Sequence, residues 1–148
     1  MKISDVLAEK GSNRVITVRP GKSVAELPGL FDEHNISSVP VVDATGRLLG
    51  IVTDRLFMKA LARYGTAMLE FTAADVMQTP APSCAIDDRV AHAMRLMTEQ
   101  RVRHLVVLRE GALVGIVSIG DLAKCRLQDA ELESRVLRDI ALGRLAVE

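Results

Sequence analysis

The pattern of apolar and polar positions occurs twice along the chain. Residues 35–56 and residues 101–122 each contain two short apolar runs separated by a polar turn, followed by a helical pattern. The letters GIVT at residues 50–53 correspond to GIVS at residues 115–118. A repeated unit of this length rarely buries its apolar face alone. The two copies are therefore expected to pack on each other and to form a cleft between them.

Each copy is predicted to form a β-α-β-β-α unit. In the first copy, residues 15–18 predict a strand, and residues 39–42 and 48–52 predict a hairpin. Thr53 then predicts the start of a helix that ends at Gly65. Because the second copy repeats this order of elements, the predicted fold class is α+β with tandem repeats.

Two helices raise specific expectations. Pro28 falls inside the first predicted helix, where a proline costs about 3 kcal/mol. We therefore expect this helix to be kinked or to start again at Pro28. Residues 129–142 predict a further amphipathic helix, whose apolar stripe needs a partner, either the body of the molecule or a second subunit. The residues of this stripe are Leu132, Val136, Leu137 and Ile140.

Composition excludes several classes of protein. The 148-residue chain is 49% hydrophobic and has a formal net charge of zero, which argues against a nucleic-acid or anionic-membrane partner. Aromatic residues make up 3%, too few for base-stacking platforms. No apolar run approaches the roughly 20 residues of a membrane span, and the first residues have no signal-peptide pattern. Cys84 and Cys125 lack metal-ligand spacing and favour a reduced, cytoplasmic setting.

The most specific candidate chemistry lies at residues 118–121. Ser118 stands where a strand ends and a helix begins, and the unpaired N–H groups there favour an anion. The carboxylate of Asp121 can accept hydrogen bonds from two vicinal hydroxyls, as in a ribose. The same pair equally fits a capping box at the start of the helix. Since the first copy has Leu56 where the second has Asp121, one competent site is predicted rather than two.

The ordered set of motifs resembles the CBS domain pair, named after cystathionine β-synthase. The resemblance covers residues 3–127, where strand, helix, strand, turn, GIV[TS] and helix occur twice in order. It implies a Bateman module of the stand-alone bacterial type, with two copies about a pseudo-two-fold axis and an adenosine-containing ligand in the cleft. It divides the chain into CBS repeat 1 at residues 1–68, CBS repeat 2 at residues 69–128 and a C-terminal amphipathic helix at residues 129–148.

The resemblance also implies roles for individual residues. Ser118 and Asp121 would bind the ribose, and the apolar side chains of Ile16 and Ile36 would sandwich the adenine. The expected contacts to the adenine edge and the phosphates come from Ser12, Ser37, Arg103 and His104. Two alternatives stay open: the isoleucines are plain core residues, and the basic residues form a solvated edge with nearby glutamates.

These observations predict a regulatory sensor of AMP, ADP or ATP, with S-adenosylmethionine and NAD as further candidate ligands. No cofactor is required, and the absence of a nucleophile–base pair or a metal-ligand set predicts that the protein is not an enzyme. It would act in trans on an unidentified client protein, as a cytoplasmic homodimer, with neither nucleic acid nor membrane as a partner. The alternative function is a ligand-free dimerisation or interaction module.

Overall fold

The computed structural model describes residues 1–11 and 14–143. In chain order, the elements are α1 (Ile3–Lys10), α2 (Leu27–His34), β1 (Ser38–Val42), β2 (Leu48–Thr53), α3 (Asp54–Tyr64), α4 (Ala73–Val76), β3 (Ser83–Ala85), α5 (Val90–Gln100), β4 (His104–Arg109), β5 (Ala112–Ser118) and α6 (Ile119–Ala141). Two 3₁₀ turns lie at Val24–Glu26 and Gly65–Glu70.

Two small sheets repeat the same hairpin. In the first sheet β1 pairs antiparallel with β2, and in the second β4 pairs antiparallel with β5 and parallel with β3. Val41 lies opposite Gly50, and Val107 lies opposite Gly115, with a register irregularity directly after each of these valines. The predicted α+β fold with two equivalent hairpins is confirmed.

The strand predicted at residues 15–18 is wrong, because the structure has only a single bridge at Val18. In the second repeat, the N–H of Val106 donates to the carbonyl oxygen of Pro82 at 2.9 Å, next to the parallel pairing of β3 with β4. The hairpin registers place Pro40 at the position equivalent to Val106. Since proline has no N–H, the equivalent hydrogen bond cannot form in the first repeat.

The helix boundaries follow their local sequence signals. Val24–Glu26 forms a 3₁₀ turn, and α2 begins anew at Leu27 with Pro28 in its first turn, where no intrahelical N–H bond is needed. The predicted restart at Pro28 is confirmed. The side chain of Thr53 caps α3, and Gly65 ends it with a φ of 62°, so both predicted ends of this helix are also confirmed.

Each repeat has its own apolar core, and the short first helices are exchanged between the cores. Ile3 and Val6 of α1 are buried in the core of the second repeat, together with β4, β5 and α5. Ala73 of α4 is buried in the core of the first repeat, against α2, β1 and β2. The N–H of Ile3 also donates to the carbonyl oxygen of Asp88 at 2.9 Å. The two cores are therefore built from interlaced stretches of the chain.

Helix α6 runs unbroken from Ile119 to Ala141, whereas the sequence suggested a separate helix from residue 129. Leu122 and Cys125 are buried against the body of the molecule. Beyond them, the apolar side chains are exposed by 39 to 61%: Leu127, Leu132, Val136, Leu137 and Ile140. Among the described helices, none is long and apolar enough to cross a membrane.

Candidate functional site

A cleft of about 410 Å³ lies between the two repeats, close to the start of α6. This volume falls within the range of small-molecule binding sites. Its lining residues are Leu7, Lys10, Arg14, Val15, Ile16, His34, Ile36, Ser38, Val114, Gly115 and Ile116. We call it the Ser118 cleft, because β5 runs from the lining residue Ile116 directly to Ser118.

Ser118 and Asp121 form the capping box of α6. The Oγ of Ser118 accepts a hydrogen bond from the N–H of Asp121 at 3.1 Å, and Oδ2 of Asp121 accepts one from the N–H of Ser118 at 2.9 Å. The structural role proposed from the sequence is thus present. An ionised carboxylate offers about four acceptor positions, so the cap leaves Asp121 with capacity for further donors.

Lys10 is a residue of this site that the sequence analysis missed. Its Nζ lies 2.9 Å from Oδ2 of Asp121 and 3.0 Å from the carbonyl oxygen of Ile116, and it donates to both. Helix α1 positions Lys10 there because it packs against β5 and α6. No local sequence signal indicates the pair, since 111 residues separate Lys10 from Asp121.

The environment of Asp121 keeps its carboxylate ionised. Partial burial by itself would raise the pKa of Asp121. The hydrogen bond from the Ser118 N–H and the ammonium of Lys10 outweigh that effect and hold the pKa below its ordinary value of 3.8. At neutral pH, Asp121 is therefore a hydrogen-bond acceptor only, as binding of two ligand hydroxyls requires.

The structure places two of the predicted adenine contacts at the Ser118 cleft. Ile16 and Ile36 both line it, and both also pack against the core of the first repeat, so the two alternatives for these side chains coexist. Ser37 is directed elsewhere: its Oγ lies 2.9 Å from Nε2 of His104. Ser12 lies outside the described residues.

A second cleft, of about 430 Å³, is related to the first by the internal repeat. We call it the Thr53 cleft. Its lining residues are Ile51, Thr53, Asp54, Arg55, Leu56, Lys59, Gln78, Pro82, Gln100, Arg101, Val102, Arg103 and His104. The hairpin registers make Ile51 equivalent to Ile116 and His104 equivalent to Ser38. The Thr53 cleft therefore combines the start of α3 with the entry to β4, and the Ser118 cleft combines β5 with the entry to β1.

This arrangement corrects the expected grouping of the basic residues. Arg103 and His104 line the Thr53 cleft, whereas the sequence analysis grouped them with Ser118 and Asp121. The backbone of the β4 entry pairs with the helix start of its own repeat, since His104 lies opposite Ser118 and the N–H of Ile119 donates to the carbonyl oxygen of Arg103 at 2.9 Å. The side chains of Arg103 and His104 nevertheless line the cleft at the helix start of the other repeat. The basic side chains thus lie in the cleft whose motif lacks the carboxylate.

The chemistry of the Thr53 cleft differs accordingly. The Oγ of Thr53 accepts the N–H of Leu56 at 3.2 Å, so the cap is kept while the side chain at the position of Asp121 is apolar. Four cationic side chains line this cleft beside the single carboxylate of Asp54: Arg55, Lys59, Arg101 and Arg103. The two clefts are similar in volume, and the Ser118 cleft is lined by fewer cationic side chains, namely Lys10 and Arg14.

His104 is neutral at neutral pH. Burial is the main cause that lowers the pKa of His104 below its ordinary value of 6.5, although the carboxylates of Asp54 and Asp121 act in the opposite direction. The ring is joined to Ser37 by a hydrogen bond of 2.9 Å, whose direction depends on the tautomer. His104 therefore connects the two repeats and does not add positive charge near pH 7.

The described residues show neither a metal centre nor a reactive thiol. Within them, no group of three or more His, Cys, Asp or Glu side chains could hold a metal ion. Cys84 and Cys125 are free and buried, and burial raises the pKa of the Cys84 thiol to about 12. Asp121 and the two clefts remain the principal candidates for chemistry.

Comparison with known proteins identifies the family. The CBS domain matches residues 3–63 and residues 73–127, so the chain belongs to the CBS domain family and carries two copies of the domain. The CBS domain-containing protein YhcV from Bacillus subtilis is 32% identical over 115 residues, which are 76% of this chain and 79% of that relative. Pairs of CBS domains are in general regulatory modules without catalytic activity.

Solved structures of the family have the same fold. The CBS-domain containing protein ATU1752 from Agrobacterium tumefaciens superposes with a TM-score of 0.81 at 38% identity, covering 84% of this chain and 92% of that one. The CBS domain pair of protein MJ0100, in complex with 5′-methylthioadenosine and S-adenosyl-L-methionine, gives a TM-score of 0.76 at 26% identity and covers 87% of this chain and 98% of that one. The family and the fold predicted from the sequence are confirmed.

Proposed function

We propose that the protein is a regulatory module that binds an adenosine-containing nucleotide in the Ser118 cleft. The observation that carries the proposal is the ionised carboxylate of Asp121 at the start of α6, joined by Lys10 to a cleft that Ile16 and Ile36 also line. The 2′- and 3′-hydroxyls of a ribose would donate to this carboxylate, and the adenine would lie between Ile16 and Ile36. The adenosine compounds bound to the MJ0100 pair support this class of ligand.

One cleft is proposed to be competent for ribose. Asp121 offers two carboxylate oxygens to vicinal hydroxyls, whereas Leu56 at the equivalent position offers none. Asp54 lines the Thr53 cleft, but it lies one residue after Thr53, whereas Asp121 lies three residues after Ser118. In addition, Oδ1 of Asp54 already accepts the N–H of Arg55 at 2.7 Å. The two clefts are thus expected to differ in affinity for nucleosides, in favour of the Ser118 cleft.

The proposed ligand is AMP, ADP or ATP, with S-adenosylmethionine and NAD as further candidates. Binding would change the relative position of the two repeats, whose cores share the interlaced helices α1 and α4. A client protein would sense this change in trans. No catalytic step is proposed.

The alternative function is a ligand-free interaction module. The exposed apolar stripe of α6 favours it, because an amphipathic helix needs an apolar partner for its stripe. In this alternative, formation of a homodimer would itself be the function, and the Ser118 cleft would bind no nucleotide.

Thermal unfolding with and without nucleotide tests the proposal. Millimolar AMP, ADP, ATP, S-adenosylmethionine and NAD are added separately, and at least one should raise the melting temperature, since ligand at about 100 times its Kd stabilises by roughly 2.7 kcal/mol. Asp121→Ala should abolish this increase. The proposal fails if none of these ligands stabilises the wild-type protein, or if Asp121→Ala keeps the full increase.

A matched control separates ligand binding from helix capping. Asp75 forms the same capping box with Thr72 at the start of α4, where its Oδ2 accepts the N–H of Thr72 at 2.8 Å. Both Asp75→Ala and Asp121→Ala remove the carboxylate half of a capping box, worth about 1 kcal/mol, and Asp121→Ala also removes the ion pair with Lys10. Asp75→Ala should lower the melting temperature and keep the nucleotide-dependent increase, because Asp75 does not line the Ser118 cleft.

A further inference from the structure

Lys10 occupies Oδ2, one of the two carboxylate oxygens of Asp121 to which the ribose hydroxyls would donate. Its ammonium donates to Oδ2 of Asp121 at 2.9 Å and to the carbonyl oxygen of Ile116 at 3.0 Å. A ribose bound to Asp121 would bring hydroxyl donors to the same carboxylate. In the ligand-free protein, Lys10 is therefore an internal competitor for the acceptor that the nucleoside needs.

The position of Lys10 also leaves its ammonium close to the ligand after displacement. Lys10 lies at the end of α1, before Gly11, and its side chain lines the Ser118 cleft. The Lys10 and Asp121 side chains are 38% and 25% exposed, so their ion pair is accessible to water and inexpensive to break. A lysine is a mobile point charge on a flexible stem, well suited to contact a phosphate.

We propose that Lys10 determines specificity by exchanging partners: it leaves Asp121 when the ribose binds and then contacts the ligand's phosphate. A phosphorylated adenosine compound compensates the lost ion pair, whereas adenosine does not. The Ser118 cleft would thereby select nucleotides over nucleosides. This inference rests on the proposed function, since it needs an adenosine ligand in that cleft.

Titration calorimetry with AMP and adenosine on wild-type protein and Lys10→Met tests the exchange. In the wild-type protein, AMP should bind more tightly than adenosine. In Lys10→Met, adenosine should bind more tightly than it does to wild type, because the internal competitor is gone. The preference for AMP over adenosine should fall about tenfold, as expected for loss of one charge-assisted hydrogen bond. Lys10→Arg should keep most of the preference, because it retains the positive charge.

Lys22 provides a matched control. Its side chain is 37% exposed and forms an ion pair with Glu26 at 3.4 Å, which resembles the exposure and pairing of Lys10. Lys22 does not line the Ser118 cleft. Lys22→Met removes the same charge from the molecule and should leave both dissociation constants unchanged.

The outcomes distinguish this inference from the proposed function. If neither ligand binds the wild-type protein and the other adenosine compounds also fail, the proposed function fails. If AMP binds and Lys10→Met keeps the wild-type preference for AMP, the exchange of partners is overturned while nucleotide binding stands. If the affinities for AMP and adenosine fall equally in Lys10→Met, Lys10 merely ties α1 to α6, which also overturns the inference.

Discussion

At the scale of single residues, Asp121 connects the local structure of a helix start with the chemistry of the cleft. Its Oδ2 accepts the Ser118 N–H and the Lys10 ammonium, which together keep the carboxylate ionised against the cost of burial. The same charge that stabilises the start of α6 is the acceptor proposed for ribose. Helix capping and ligand binding are therefore compatible roles of one side chain.

His104 gives a testable dependence of stability on pH. Its pKa in the folded protein is below 6.5, so as the pH falls below 6.5 the unfolded chain takes up a proton that the folded protein does not. The free energy of unfolding should therefore be highest above pH 6.5 and decrease between pH 7.5 and pH 5.5. His104→Gln, which cannot titrate, should reduce this decrease in urea unfolding measured at both pH values.

Asp121, whose charge acts on His104, should not contribute to this change. The pKa of Asp121 is below 3.8, so this residue stays ionised throughout the range. The charged groups that influence the pKa of His104 are Asp54, Arg103, Asp121 and Lys10. His92→Gln, at an exposed position on α5, is the comparison variant, and His104→Gln should reduce the decrease more than His92→Gln does. An unchanged pH dependence in His104→Gln would contradict the assignment.

At the scale of elements, the two repeats have the same order but not the same hydrogen bonds. Pro40 removes the donor that Val106 supplies in the second repeat, and the first strand of repeat 1 is reduced to a bridge. The β-branched run at residues 15–18 has strand propensity, but the ladder depends on its partner strand. The strand propensity of residues 15–18 therefore gives no sign that the partner strand lacks a backbone N–H at Pro40.

The two motif glycines predict different responses to alanine. A Cβ at Gly50 would lie 2.6 Å from the carbonyl oxygen of Gln78, which is fixed because it accepts the N–H of Ile51 at 3.1 Å. A Cβ at Gly115 would lie 2.9 Å from the Cδ2 of Leu7, the movable end of a side chain. Gly50→Ala should therefore lower the free energy of unfolding by about 1–3 kcal/mol.

Gly115→Ala is the internal comparison and should cost less, because the side chain of Leu7 can rotate away. Gly50 and Gly115 occupy equivalent positions in the two hairpins, opposite Val41 and Val107, so the two alanine substitutions can be compared directly. Urea unfolding measures both. If Gly115→Ala lowers the free energy of unfolding as much as Gly50→Ala does, or more, the prediction is wrong and helix α1 is held more rigidly than its contacts indicate.

At the scale of the whole molecule, the repeat makes two clefts of similar size and the sequence makes them different. Lys10, which pairs with Asp121, lines the Ser118 cleft, and the Thr53 cleft is lined by Leu56 and by three arginines. Because the chain has a net charge of zero, this asymmetry is local and not a property of the overall composition. The homodimer, the client protein and the cytoplasmic location stay predictions.

The exposed stripe of α6 predicts how two copies associate. The apolar face that buries Leu122 and Cys125 continues to Leu132 and Val136 after the body of the molecule has ended. The part of α6 that extends beyond the body of the molecule would be only marginally stable as an isolated helix in water, so a second copy of the chain is expected to cover its apolar stripe. Leu132→Glu should convert the dimer to a monomer in size-exclusion chromatography with light scattering.

Leu127 supplies the control for the association of α6. It is 61% exposed and Leu132 is 57% exposed, but five residues of helix separate them by about 140° around the axis. Leu127→Glu should therefore keep the dimer. A wild-type chain that elutes as a 16.1 kDa monomer would rule the dimer out. Nucleotide binding retained in Leu132→Glu would show that association and binding are separate functions.

The sequence by itself determined the doubled α+β architecture, the main helix boundaries and the inequality of the two motifs. Those features depend on periodicity, capping and residue identity, which are local. Contacts between distant parts of the chain were decided by tertiary structure: the exchange of α1 and α4, the pairing of Lys10 with Asp121, and the position of Arg103 and His104 in the Thr53 cleft. The physical reason is that packing of the two repeats brings side chains of one repeat's strand entry into a cleft with residues of the other repeat, and no local pattern encodes which side chains then meet.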